Sequence, residues 1–184
     1  MTHQEALELL KQNVQNENLI KHCLAVEAIM KALASFLKED EEKWGLCGLL
    51  HDIDYEKTKL TPKQHSLLGA QILLDLGIEK DICQAVKVHN EIHGFLPERA
   101  MEKALFVTDP LSGLIVAAVL ISPSKKISDI DTDFVLRRFK EKAFARGVNR
   151  EIIKKCEKYL NLSLRELVEI GLKAMQEIAL DLEL

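Results

Sequence analysis

Apolar residues recur at intervals of three and four along nearly the whole chain, and no segment alternates apolar with polar positions at period two for long. That rhythm belongs to helices that turn one face to a core, so the chain reads as all-α. Polar punctuation between the runs sets the elements. Thr2 and Glu5 have capping-box spacing and open a helix to about Val14. Asn18 can cap a second, to about Lys38, whose core stripe is Ile20, Cys23, Val26, Met30, Leu33 and Leu37. A third begins near Glu41 and leads through Trp44, Leu46, Leu49 and Leu50 into His51 and Asp52. Thr61-Pro62-Lys63-Gln64 predicts a helix start and Gly77 its stop, which puts His65 in the first turn. Another helix is predicted from Lys80 to about His93, before Gly94. The next runs from Pro97 to Asp109, where Pro110 removes a backbone donor and bends or breaks it ahead of Leu111–Ile121. After a loop at Ser122–Lys126, helices are predicted over about Asp133–Ala145, Arg150–Leu160 and Leu164 to the end, the last opened by Ser163 with Glu166.

A length of 184 residues with 47% hydrophobic content suits one sizeable core and is short for two. With no repeat or linker, one domain over 1–184 is expected, its core about 18–121 and a helical C-terminal extension over about 130–184. The net charge of −4 carries no basic excess, so a nucleic-acid polymer is not the expected partner. Cys23, Cys47, Cys83 and Cys156 stand far apart inside apolar helical patterns and form no CxxC pair, which suggests a reducing compartment. Met1-Thr2-His3-Gln4-Glu5 has no basic or apolar leader pattern, so a cytoplasmic location is expected. Ala104–Ile121 is interrupted by Asp109 and Pro110 and reads as a buried helix rather than a membrane span.

Candidate chemistry comes from polar residues where an apolar pattern leaves little room for them. His51-Asp52 ends an apolar helix, His22 interrupts the apolar face between Leu19 and Val26, and Asp109 interrupts the most hydrophobic segment. Burying such groups without partners is costly. A divalent cation would satisfy all of them, since imidazole nitrogens and carboxylate oxygens both bind it. Simpler readings exist for each: a hydrogen-bonded core histidine, a helix-ending pair, a helix cap at Asp109.

His22, His51-Asp52 and Asp109 match, in order and approximate spacing, the H…HD…D pattern of the HD superfamily of metal-dependent phosphohydrolases, which this chain resembles from about Asn18 to Ile121. The resemblance implies an HD helical bundle in which these residues hold a metal, with Asp52 and His51 at the catalytic centre. His65-Ser-Leu-Leu-Gly and Val88-His89-Asn90 look like the extra histidines of subfamilies that hold two metals, in which Asp52 would bridge the ions. One departure stands out: a common variant reads His-Asp-Ile-Gly, and this chain has Asp54 after Ile53.

His93, four residues after His89, would share its face on a continuous helix and could meet substrate phosphate or orient a ligand. Between Ile121 and Leu160 there are eleven Lys/Arg against six Asp/Glu, and within that stretch Lys125 and Lys126 are candidates to attract phosphate at the site mouth. Glu91, Asp54 and His3 read as solvated. Cys47 and Gly48 read as small residues that let helices pack closely. The expected activity is hydrolysis of a phosphomonoester or phosphodiester, on a nucleotide or another small phosphorylated metabolite, with one or two divalent ions of Mn, Fe, Co, Ni, Zn or Mg. A regulatory metal- or nucleotide-binding module and a di-iron oxygenase are the alternatives. No P-loop or Rossmann glycine pattern is present. The final amphipathic helix could cover its own core or pair with another subunit.

Overall fold

The computed structural model describes residues 1–184, and its first three helices begin where polar side chains take up the free N–H groups of a first turn. Thr2 and Glu5 exchange hydrogen bonds at the start of α1 (His3–Asn13). Asn16, not Asn18, caps α2 (Glu17–Leu37), its Oδ1 accepting from the backbone of Asn18 and Leu19. Asp40 caps α3 (Glu41–Leu50), which runs straight into His51 and Asp52. Helices α2 and α3 meet at Gly48, where a Cβ would stand 2.9 Å from the backbone of Glu27 and Val26. Only glycine allows that approach, and it brings the His51-Asp52 pair against the helix that carries His22.

The chain continues through α4 (Tyr55–Thr58), a 3-10 turn at Pro62–Gln64, α5 (Leu67–Asp75) and α6 (Lys80–His89). The helix predicted over Thr61–Gly77 is interrupted: His65 has ψ 140° and Ser66 has φ 71°, so α5 starts only at Leu67. The cause is tertiary. The Asp54 carboxylate takes the N–H groups of both Ser66 and Gly69, which local pairing would otherwise use. The helix predicted to reach His93 stops at His89, because Asn90 turns extended and caps a separate 3-10 turn, Glu91–His93. His89 and His93 therefore share no helical face.

Helix α7 (Ala100–Ile121) crosses the core and carries Pro110 inside it, where a break was expected. Leu105, Leu111, Leu114 and Ile115 are fully buried around that point. Each such side chain contributes roughly 1.5–3 kcal/mol, enough to offset a lost backbone bond. By length and apolarity α7 passes for a membrane span, but 61% of its most apolar window is buried in the bundle, which accounts for its composition.

Beyond a 3-10 turn at Ile127–Asp129 come α8 (Thr132–Lys140), α9 (Arg150–Lys154), α10 (Cys156–Leu160), α11 (Leu164–Glu177) and α12 (Ala179–Leu182). Helix α8 ends earlier than its predicted limit at Ala145, and the predicted Arg150–Leu160 helix is divided at Lys155. The irregular Glu141–Asn149 segment is gathered round Arg150, whose guanidinium donates to the carbonyls of Phe139, Glu141, Phe144, Ala145 and Val148. One apolar cluster of 44 buried residues runs from Ala6 to Leu182. The ends of α3 and α6, the second turn of α2 and the middle of α7 meet at its edge.

Candidate metal centre

Six side chains from five parts of the chain converge there. His22 comes from α2, His51 and Asp52 from the end of α3, His65 from the break before α5, His89 from the last residue of α6, and Asp109 from α7. Asp52 lies in the middle. Its Oδ1 is 3.4 Å from His51 Nε2, 3.3 Å from His65 Nε2 and 3.5 Å from His89 Nε2, while its Oδ2 is 3.7 Å from His22 Nε2. Asp109 Oδ1 is 3.2 Å from His22 Nε2 and 3.9 Å from His51 Nε2. Donor atoms of His22, His51 and Asp109 form one group spaced to hold a cation, and those of His51, Asp52 and His89 form another. The carboxylate of Asp52 thus faces two neighbouring groups, one with each oxygen.

Each histidine is fixed from behind. His51 Nδ1 donates to the Gly48 carbonyl at 2.8 Å, and His89 Nδ1 to the Val86 carbonyl at 2.7 Å. His65 Nδ1 donates to Asp54 Oδ1 at 3.0 Å. The Ser112 hydroxyl gives its proton to the Asp109 carbonyl at 2.9 Å, which leaves its oxygen to accept from His22 Nδ1 at 3.0 Å. With the proton on Nδ1, every neutral ring presents a bare lone pair at Nε2. Two of these, on His22 and His51, face each other at 3.2 Å. Such a contact needs positive charge between the two nitrogens, supplied by a proton on one ring or by a metal ion. This donor set therefore fits a divalent cation, and the partners at Nδ1 are of the kind that orient metal-bound histidines.

The electrostatics follow from the same crowding. Burial holds the His51 imidazole down at about 4. For His22, burial pulls downward but is outweighed by the Asp109 and Asp52 carboxylates, and the net shift is upward. His65 is likewise opposed by burial, yet Asp52 and Asp54 push it up to about 10. Burial would raise Asp52 and Asp109, but the surrounding imidazoles hold both below the usual carboxylate range. Both carboxylates are ionised at neutral pH, the form in which a carboxylate can bind a cation.

Three sequence readings change. Asp54, read as solvated, is fully buried and accepts from His65 Nδ1, Ser66 N and Gly69 N at 3.0, 2.9 and 2.9 Å. Its only sequence signal was the glycine missing after His-Asp-Ile. His93, a candidate to meet substrate phosphate or to orient a ligand, is tied to the second role: it donates through Nε2 to the His65 carbonyl at 2.8 Å and steadies that corner. Lys125 and Lys126 follow the far end of α7: at about 1.5 Å rise per residue, Ile121 is already ~18 Å along the helix from Asp109, too far for a site mouth. The mouth is built elsewhere. A cleft of about 300 Å³ over His22, His65, His89 and Asp109 is completed by Asn90 and Glu91, by Phe106, Pro110 and Gly113, and by Gly147, Val148, Asn149 and Ile152. Glu91, read as solvated, is exposed and also stands on that rim, and nothing in the sequence marked 147–152 as near the site.

Comparison with known proteins agrees with this placement. The HD domain family matches residues 19–109. The uncharacterized protein MJ0778 of Methanocaldococcus jannaschii is 32% identical over 166 residues, covering 84% of this chain and 92% of that protein. Ribonuclease Y of Nitratidesulfovibrio vulgaris is 29% identical over 140 residues, covering 74% of this chain. Ribonuclease Y of Oleidesulfovibrio alaskensis is 28% identical over 157 residues, covering 82% of this chain. The alignments span only 27% and 30% of those two ribonucleases. No solved structure matches the chain. The sequence pattern, the helical bundle and these matches place the chain in the HD domain family.

Proposed function

We propose that this HD protein is a metal-dependent phosphohydrolase that cleaves a phosphomonoester or phosphodiester in a nucleotide or similarly small phosphorylated molecule. The observation that carries the reading is the set of four imidazoles, each tied at Nδ1 and turning Nε2 toward the two ionised carboxylates. His22, His51, Asp52 and Asp109 would hold one ion, and His65 and His89 with Asp52 a second. A mixed nitrogen and oxygen set suits manganese, iron, cobalt, nickel or zinc, with magnesium also admitted. A bound ion of this kind lowers the pKa of coordinated water from ~15.7 toward neutrality and stabilises charge on phosphoryl oxygens. The protein's part is geometric. Asp52 sets the spacing of the two donor groups, and the Nδ1 partners prevent ring rotation when a ligand binds. No side-chain nucleophile is required. The ribonuclease Y relatives add RNA phosphodiesters to the substrates worth testing.

The test is phosphate or alcohol release from a phosphoester panel with each metal added in turn, alongside elemental analysis of the purified protein. Asp52→Ala is expected to lose both metal and turnover, and full activity in that variant would contradict the reading. Metal binding without turnover on any ester would favour a regulatory module, and oxygen consumption by iron-loaded protein would favour an oxygenase.

A further inference from the structure

The cleft over the metal centre has two unlike sides. The floor is the ligand set, which comes from the family-matched segment 19–109. The opposite side comes from the C-terminal extension: Gly147, Val148, Asn149 and Ile152, which face Phe106 and Pro110 of α7. This side is firmly built. Arg150 binds carbonyls from Phe139 to Val148 and so closes the Glu141–Asn149 loop on itself. Asn149 accepts the N–H groups of Glu151 and Ile152 with its Oδ1 and donates through Nδ2 to Glu91 Oε2 at 2.7 Å. That last bond ties the extension to the turn after α6, across the rim of the cleft.

Two properties of this enclosure bear on what enters. Its volume, about 300 Å³, stands at the lower end of the ~300–1,000 Å³ usual for small-molecule pockets. Its lining holds the imidazoles of His22, His65 and His89 and the carboxylates of Asp109 and Glu91; no lysine or arginine lines it. Grooves for single-stranded nucleic acid are lined by cations that follow the backbone and by aromatic platforms for successive bases. Among the lining residues nothing but a bound metal pair would offset phosphate charge, the Lys155 ammonium being held over the Phe106 ring at 5.2 Å to its centroid, and Glu91 at the rim would repel a second phosphate. Val148, Ile152, Phe106 and Pro110 offer an apolar surface instead, bordered by the amides of Asn90 and Asn149 and by the free oxygen of Glu91.

Building on the phosphohydrolase reading, we propose that the Glu141–Asn149 loop and its Glu91 tie form the specificity element of the site. It admits a phosphomonoester with one phosphoryl group and one nucleoside-sized organic part, and it excludes polyphosphates and polymers. Glu91 accepts a hydrogen bond from an N–H or O–H of the organic part, which packs on Val148 and Ile152. The reaction is R–O–PO₃²⁻ + H₂O giving R–OH and HPO₄²⁻. The ester P–O bond breaks, the water oxygen bonds to phosphorus, and one water proton goes to the leaving oxygen and the other stays on phosphate.

The test uses the full chain loaded with Mn²⁺. Nucleoside 5′-monophosphates, the matching triphosphates and a 5′-labelled oligoribonucleotide are compared by kcat/KM, with p-nitrophenyl phosphate as a general phosphoester. Monophosphates are expected to lead triphosphates and oligonucleotide by on the order of a hundredfold. Glu91→Gln and Asn149→Ala are each expected to raise KM for the monophosphate about tenfold, the effect of one charge-assisted hydrogen bond, while metal stoichiometry stays at the wild-type value. Calorimetry with the unphosphorylated nucleoside gives a readout independent of turnover: its binding weakens in Glu91→Gln, and binding of inorganic phosphate does not. Equal or better turnover of the oligonucleotide or triphosphate, or an unchanged monophosphate KM in both variants, would overturn the proposal while leaving the phosphohydrolase reading intact. No turnover of any ester, p-nitrophenyl phosphate included, would overturn both.

Discussion

Replacing Asp54 tests how much of this centre depends on a residue that touches no metal position. Its carboxylate is fully buried and serves three donors: His65 Nδ1–H, Ser66 N–H and Gly69 N–H. It is also packed without slack, since a Cβ on Gly69 would stand 3.0 Å from its Oδ1. In Asp54→Ala all three donors lose their acceptor inside the protein. Breaking a buried charged pair by removing one partner costs about 3–5 kcal/mol, a large part of the ~5–15 kcal/mol that holds a domain of this kind. The alanine variant can therefore fail to fold, and Asp54→Asn is the decisive one. An amide of equal size keeps one acceptor oxygen but turns an NH₂ group toward at least one of the three donors. A loss of about 2 kcal/mol is expected, measured by urea unfolding of the metal-free chain. The second consequence is specific to His65. Freed at Nδ1, its ring rotates, and Mn²⁺ affinity at the site it shares with His89 and Asp52 falls roughly 10–100-fold, while the His22, His51 and Asp109 site keeps its ion. Titration calorimetry resolves the two. An Asp54→Asn chain within ~0.5 kcal/mol of wild type, with both affinities unchanged, would refute the reasoning, because surface substitutions do no more than that.

Further outcomes follow from the same geometry. Gly48→Ala places a Cβ against the backbone of α2, so the two helices must separate. The expected cost is about 1–3 kcal/mol, with a lower melting temperature and weaker metal uptake. Ser112→Ala removes the acceptor behind His22 and is expected to weaken the first ion by about tenfold without a large change in unfolding free energy; unchanged affinity would separate Ser112 from the site. Metal binding is expected to strengthen as pH rises from 6 to 9. His65, pushed up to about 10 by Asp52 and Asp54 against the pull of burial, is protonated through this range and must release its proton to bind, whereas His51, held down at about 4, is already free. Calorimetry in buffers of different ionisation enthalpy counts the proton released, and a count of zero at pH 7 would remove His65 from the ligand set.

The residues legible in the sequence were those that paid an evident cost for their position. His22, Asp52 and Asp109 interrupt apolar stripes, and although each has a local explanation taken singly, the three together with His51 point to a shared partner. Asp54 carried no such mark, because Asp-Tyr-Glu-Lys after the HD pair reads as the start of an exposed turn. The misread helix over Thr61–Gly77 has the same origin. Its start signal is sound locally, but the amides it needs at Ser66 and Gly69 are taken by a carboxylate 12 and 15 residues earlier in the chain. That competition also explains why Ser66 accepts a left-handed backbone: the turn sends His65 inward while Asp54 holds it by the other ring nitrogen. Periodicity reports which side chains seek the core. It says nothing about which distant carboxylate will claim a backbone amide, and in this protein that claim sets where a candidate ligand points.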